Sequence, residues 1–187
     1  MEYKPLIERA VQIRPFRPED LCGLHAAACE SNAALCATMT WFQPDYSLED
    51  AAIFIKHSAR DWSAGERYDF AVVDPVDDAF CGSVSLNHID RRHRLANVGF
   101  WVRQSREGQG IATNAVRFIT DFAFQRLALL RLEFLIAQSN RASQRVVSKV
   151  GAELEGTLRK RLTLSGPPED ALIFSLLKED WVQSGSV

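Results

Sequence analysis

No run of apolar residues in this 187-residue chain approaches the ~20 that a membrane-spanning helix needs, and Met1-Glu2-Tyr3-Lys4-Pro5 lacks the apolar core of a secretory signal. A cytoplasmic protein without a membrane partner is expected. An excess of either charge is missing as well: 22 Lys and Arg stand against 24 Asp and Glu, for a net charge of -2 and a pI near 6.1. Bulk electrostatics therefore give no reason to bind nucleic acid. The four cysteines form no C-x-x-C and no paired Cys/His spacing, so no metal is expected. Cys22, Cys29 and Cys36 would share one face of any helix through them, and read as small buried hydrophobes. The histidines are scattered, and only His88, on a strand near the centre of the chain, deserves a functional hypothesis. No internal repeat, low-complexity stretch or linker divides the chain. One domain over residues 1–187 is expected, with its core over about 11–180.

What is present centres on two glycines that bracket one residue, Gly108-Gln109-Gly110. Before them, Ala96-Asn97-Val98-Gly99-Phe100-Trp101-Val102 reads as a strand and Arg103–Arg106 as a polar loop. After them, Ile111, Ala115, Phe118, Ile119 and Phe122 recur at the spacing of one helix face. Glycines there let successive N–H groups turn towards one point, and the unpaired first N–H groups of the helix aim at the same place. With the helix dipole, that is a cradle for a phosphate or pyrophosphate. A P-loop is excluded, because no lysine or hydroxyl stands in register. A dinucleotide fingerprint needs a third glycine where this chain has Thr113. A glycine turn that merely lets the chain pack stays open beside the cradle.

Along the chain, Val11–Phe16 alternates as a strand does, and Arg17-Pro18-Glu19-Asp20 leads into a helix carrying Leu21, Leu24, His25 and Ala28. Ser47-Leu48-Glu49-Asp50 is a capping-box pattern opening a second helix that ends near Gly65. Strands follow at 70–73, 81–89 and 96–102, then the glycine-started helix and a strand over 131–136. That β-α-β unit makes its two strands parallel neighbours. Asn140-Arg141-Ala142-Ser143 starts a short helix closed by Gly151, and strands at 154–162 and 171–177 complete the order β-α-α-β-β-β-α-β-α-β-β. The fold class is mixed α/β.

Several segments together resemble the GNAT N-acetyltransferases. Glu107-Gly108-Gln109-Gly110-Ile111-Ala112 is similar to their coenzyme A cradle, [QR]-x-x-G-x-[GA], at Gly110 and Ala112, and departs from it at Glu107. Ala96-Asn97-Val98-Gly99-Phe100-Trp101 resembles the A-E-[IL]-G-Y-W of the RimJ/RimL branch. Asn140-Arg141-Ala142-Ser143, Lys149-Val150-Gly151-Ala152 and Glu155-Gly156-Thr157-Leu158-Arg159 resemble its N-x-x-S, K-x-G-F and E-G-x-L-[RK]. The resemblance implies a GNAT fold: a twisted, mostly antiparallel sheet flanked by helices, with a parallel pair splayed at the coenzyme site. It implies acetyl-CoA as co-substrate, its pyrophosphate held by N–H groups around Gly108, Gln109, Gly110, Ile111 and Ala112. The N–H near Val102 would polarise the thioester carbonyl, and Asn140 would bind the pantetheine arm, or else serve only as a helix N-cap. Ser143 would protonate the departing thiolate, or else be a plain capping hydroxyl.

The family's strand glutamate is replaced by Asn97, which can position a water or the amine but cannot take a full proton. The glutamate that some relatives carry after E-G-x-L-[RK] is absent from Lys160-Arg161-Leu162. His88 and Asp69 could substitute, and the base stays unassigned. Trp41, Phe42, His88 and the 165–170 turn are the candidate acceptor wall. The implied reaction is direct acetyl transfer to a primary amine, foremost the α-amine of a protein or peptide N-terminus, as in ribosomal-protein acetylation. A small amine (metabolite or antibiotic) as acceptor, a non-catalytic acetyl-CoA sensor, and a nucleotide-binding protein are the alternatives. Homodimers are common in the family, and no residue pattern here carries one.

Overall fold

The computed structural model describes residues 6–8, 11–40, 42–164 and 166–183, the side chains of 6–8, 182 and 183 excepted. The chain opens with β1 (Leu6–Glu8) and β2 (Val11–Pro15), then α1 (Leu21–Glu30), α2 (Asn32–Cys36) and α3 (Leu48–Ala64). Next come β3 (Tyr68–Val73), β4 (Phe80–Asp90), β5 (Leu95–Val102), α4 (Ile111–Asp121) and β6 (Arg131–Ala137). The last elements are α5 (Arg141–Lys149), β7 (Glu153–Leu162), β8 (Glu169–Leu177) and α6 (Lys178–Gln183). These strands form one sheet in the order β1-β2-β3-β4-β5-β6-β8-β7. Every neighbouring pair is antiparallel except β5 and β6. Mixed α/β architecture and the parallel pair agree with the sequence reading; β1, α2 and α6 are additions to it.

Alternation along the strands clothes both faces of the sheet. Phe70, Val84, Leu86, Ala96 and Val98 pack with Ile111, Ala115, Phe118 and Ile119, the apolar stripe of α4. On the other face, Ala71, Val73, Phe80 and Trp101 pack with Leu24, Ala27 and Ala28 of α1 and Ala51 and Ile55 of α3. Burial of each large side chain contributes roughly 1.5–3 kcal/mol. The capping box is present: Ser47 N–H donates to Asp50 Oδ2 at 2.8 Å and Asp50 N–H to Ser47 Oγ at 3.2 Å. α3 then ends at Gly65, as expected.

One expectation about the fold needs correction. Cys22 and Cys29 are exposed and Cys36 half-buried; only Cys81 is buried. The reason is that the helix breaks at Ser31, and Leu24, Ala27 and Ala28 carry the buried stripe of α1 in their place. After β8 the chain turns into α6, an element the strand order read from the sequence does not include. Trp181 is buried there, and its indole N–H donates to Asp121 Oδ1 at 2.7 Å. Burial pushes the Asp121 carboxyl up, against that hydrogen bond.

Candidate active site

β5 and β6 are paired at three register positions, Leu95↔Arg131, Ala96↔Leu132 and Asn97↔Glu133. Beyond these each strand stays with its other neighbour: β5 follows β4 to Val102↔Gly82, and β6 follows β8 to Ala137↔Ala171. The two strands therefore part after Asn97, and a cleft of about 520 Å³ includes the gap. Gly99 helps keep its floor clear, since a Cβ there would sit 3.1 Å from Ser85 Oγ.

The hydrogen-bond phase of β5 decides what faces the gap. Arg103 N–H donates to Cys81 O at 2.8 Å, so Gly82 and Val102 are a pair without mutual hydrogen bonds. The N–H and C=O of Val102, and those of Phe100 two residues earlier, consequently turn away from β4 towards the side β6 has left. An extended chain laid in the gap would meet an open strand edge. Gly82 makes the crossing tight: a Cβ there would lie 2.3 Å from Trp101 O.

Downstream, Gly108 and Gly110 take φ of +74° and +81°, with open space where a Cβ would stand. The first helical bond of α4 runs from Asn114 N–H to Gly110 O at 3.1 Å, so the N–H groups ahead of it have no intrahelical acceptor. A side chain at the N-cap would compete for those donors, and Gly110 has none. This donor set fits a pyrophosphate. The preceding loop is pinned from α1: Glu30 accepts from Arg103 Nε at 2.6 Å and from Ser105 N–H at 2.8 Å, and Gln104 N–H donates to Ser31 Oγ at 3.0 Å. The Ser105 hydrogen bonds, seconded by Arg103, hold the Glu30 carboxyl down at about 2.

Asn140 and Ser143 meet at the start of α5, and both line the cleft. Asn140 is the N-cap, its Oδ1 accepting from Ser143 N–H at 3.0 Å. That leaves the Asn140 amide NH2 and the Ser143 hydroxyl without a protein partner among the described residues. Asn97 donates through Nδ2 to Asn87 Oδ1 at 2.9 Å, and Asn87 in turn to Ser85 Oγ at 3.3 Å. His88 lines the cleft at an exposed position, where β4 shifts register and φ is +50°. Asp69 also lines it, but is buried with both oxygens 2.8 Å from Arg67 Nε. Burial pushes its carboxyl up while Arg67 pulls it down.

Phe42 is not on the cleft wall. It is buried in the α1–α3 core with its ring 5.1 Å from that of Tyr46, and Thr38, Met39 and Thr40 line the cleft in its stead. Trp41 and Ser165 lie outside the described residues. Glu133, Arg67 and Arg161 line the cleft without having been singled out from the sequence. Glu133 could have been placed on the polar face of β6 by alternation, but its neighbour across the sheet depends on a register that no local pattern encodes.

The acetyltransferase (GNAT) domain family matches residues 11–153, and the chain belongs to that family. Among its relatives, YdaF of Bacillus subtilis, named as a candidate ribosomal N-acetyltransferase, is 36% identical over 105 residues, 56% of this chain. The match spans 57% of that relative's length. Spermidine N(1)-acetyltransferase of Escherichia coli is 24% identical over 175 residues, 92% of this chain and 89% of its own. Among solved structures, Mycobacterium smegmatis RimJ in complex with CoA-disulfide superposes with a TM-score of 0.88 at 26% identity, covering 98% of this chain and 90% of that one.

Proposed function

We propose that this protein transfers acetyl from acetyl-CoA to a primary amine bound beside it, and that the amine is the N-terminal α-amine of a protein or peptide. The observation that carries the first part is the open edge of β5, with N–H groups of Phe100 and Val102 turned into the gap next to a glycine-started helix. In this reading the N–H groups of residues 108–112 hold the pyrophosphate, and the Asn140 amide binds the pantetheine arm. The Val102 N–H polarises the carbonyl, an oxyanion-type role. Ser143 gives a proton to the departing sulfur, and Asn97 positions the amine or a water. Placing amine and thioester together in one cleft supplies much of the rest through proximity.

Charge in the cleft supports an α-amine over a polyamine. Asp69 is paired with Arg67, Glu133 with Arg131, and Arg161 adds a further positive group to the lining. A polycation such as spermidine would find no cluster of unpaired carboxylates there among the described residues. The test is release of CoA thiol from acetyl-CoA with a panel of N-terminal peptides, α-N-blocked copies of each, and polyamines. Turnover of the free peptides that vanishes on blocking is expected; turnover of polyamines alone would move the acceptor to a small amine.

A further inference from the structure

The cleft face of the sheet carries a polar row across four strands: Asn87 pairs with Asn97, Asn97 with Glu133, and Glu133 with Ser175. Asn97 and Glu133 are the last register pair before β5 and β6 part, and both line the cleft. Neighbouring strands run about 4.8 Å apart, so the carboxylate of Glu133 belongs to the same small volume as the amide of Asn97. Arg131 Nε takes Oε1 of Glu133 at 2.8 Å, while the other nitrogens of Arg131 hold Glu155. Oε2 of Glu133 has no protein partner among the described residues. Asp69, the other carboxylate of the cleft, has both oxygens on Arg67 and is 1% exposed. The titratable and charged groups lining the cleft are thus Glu133 of β6, Arg161 of β7, Asp69 of β3 with Arg67 just before it, and His88 of β4; behind the lining Arg131 pairs with both Glu133 and Glu155, and the start of α5 brings the neutral Asn140 and Ser143.

We propose that Glu133 is the carboxylate that receives the acceptor's proton, with the Asn97 carbonyl oxygen holding the same ammonium or the water between them. This rests on the reading of the protein as an amine acetyltransferase. One proton of the ammonium passes to Glu133, and the freed lone pair forms the N–C bond to the acetyl carbonyl carbon. The C–S bond breaks with its electron pair on sulfur, which takes a proton through Ser143 from the nitrogen that is becoming an amide. Glu133 returns the first proton to solvent, so one ammonium and one thioester become one amide, one thiol and one released proton. The carboxylate absent at position 97 is supplied from the adjacent strand.

Glu133→Gln tests this, because its amide oxygen still accepts from Arg131 and the isosteric change removes the charge and the basicity while keeping the shape. In the full chain, kcat/KM for an ammonium acceptor at pH 7 should fall about 100-fold, with acetyl-CoA affinity and thermal midpoint unchanged. The loss should shrink as pH rises towards the acceptor's own pKa. It should shrink to less than about threefold, within the scale of a lost uniform contact, for a low-basicity amine already neutral at pH 7. Asn97→Glu added to Glu133→Gln should recover at least about tenfold by returning a carboxylate to the same pair. A variant within threefold of wild type, or an equal loss at every pH and for both kinds of amine, overturns the role of Glu133. Wild-type protein that turns over no amine at all overturns the acetyltransferase reading and this proposal with it.

Discussion

Two residues at the start of α5 divide labour in a way that only their hydrogen bonds reveal. Asn140 supplies the cap through Oδ1, so Ser143 contributes its backbone N–H to that cap and keeps its hydroxyl for the cleft. Ser143→Ala should therefore change stability by no more than about 0.5 kcal/mol. It should lower kcat about 100-fold if the hydroxyl protonates the leaving sulfur. Thermal unfolding and steady-state kinetics on the same preparation check both halves. Asn140 and Ser143 stand out in the sequence as N-x-x-S before an apolar helix face, and the structure brings them together on one cleft. Glu133 carries no such pattern, since Arg131-Leu132-Glu133-Phe134 looks like any half-buried strand.

Elements are tied to each other by a few buried polar contacts. Arg14 on β2 is 2% exposed and makes paired 2.8 Å contacts with both oxygens of Asp20, and a further 3.1 Å contact reaches Asp78 in the β3–β4 turn. The Asp20 hydrogen bond pushes the guanidinium further into its charged form, outweighing burial. Removing Asp20 leaves that cation buried and deprived of its main partner. Asp20→Ala should cost about 3–5 kcal/mol, read from urea unfolding. Arg14→Met with Asp20→Leu should recover most of it, because the desolvation cost disappears with both charges. A small loss in Asp20→Ala would show that Asp78 and water suffice. The local pattern Arg17-Pro18-Glu19-Asp20 reads only as helix punctuation, and nothing in it points to Arg14 six residues earlier as the partner of Asp20.

Across the whole molecule, the helices packed on one face of the sheet and the loop that leads into α4 are joined where Glu30 of α1 holds Arg103 and Ser105. Its carboxyl sits at about 2 against an ordinary 4.5, so the stabilisation it gives is complete above pH ~4.5 and is lost as pH falls towards 2. Glu155, held at about 2 by Arg131 and Ser175, acts in the same direction over the same window. Thermal midpoints measured from pH 7 to 3 should decline below ~4.5, and Glu30→Gln should flatten that decline. An unchanged acid slope in the variant would remove Glu30 from the account. The elements with strong local signals were legible in the residues alone: the capping box at Ser47, the glycines before α4, the N-x-x-S before α5, and the parallel strand pair that a β-α-β unit requires. Periodicity and turn chemistry are local, and they need no knowledge of the rest of the chain. The residue at which β5 and β6 part, the burial of Phe42 away from the gap, and the place of Glu133 beside Asn97 came from the folded arrangement. Register, hydrogen-bond phase and strand divergence arise between segments far apart in sequence, where side-chain packing on two faces selects one alignment.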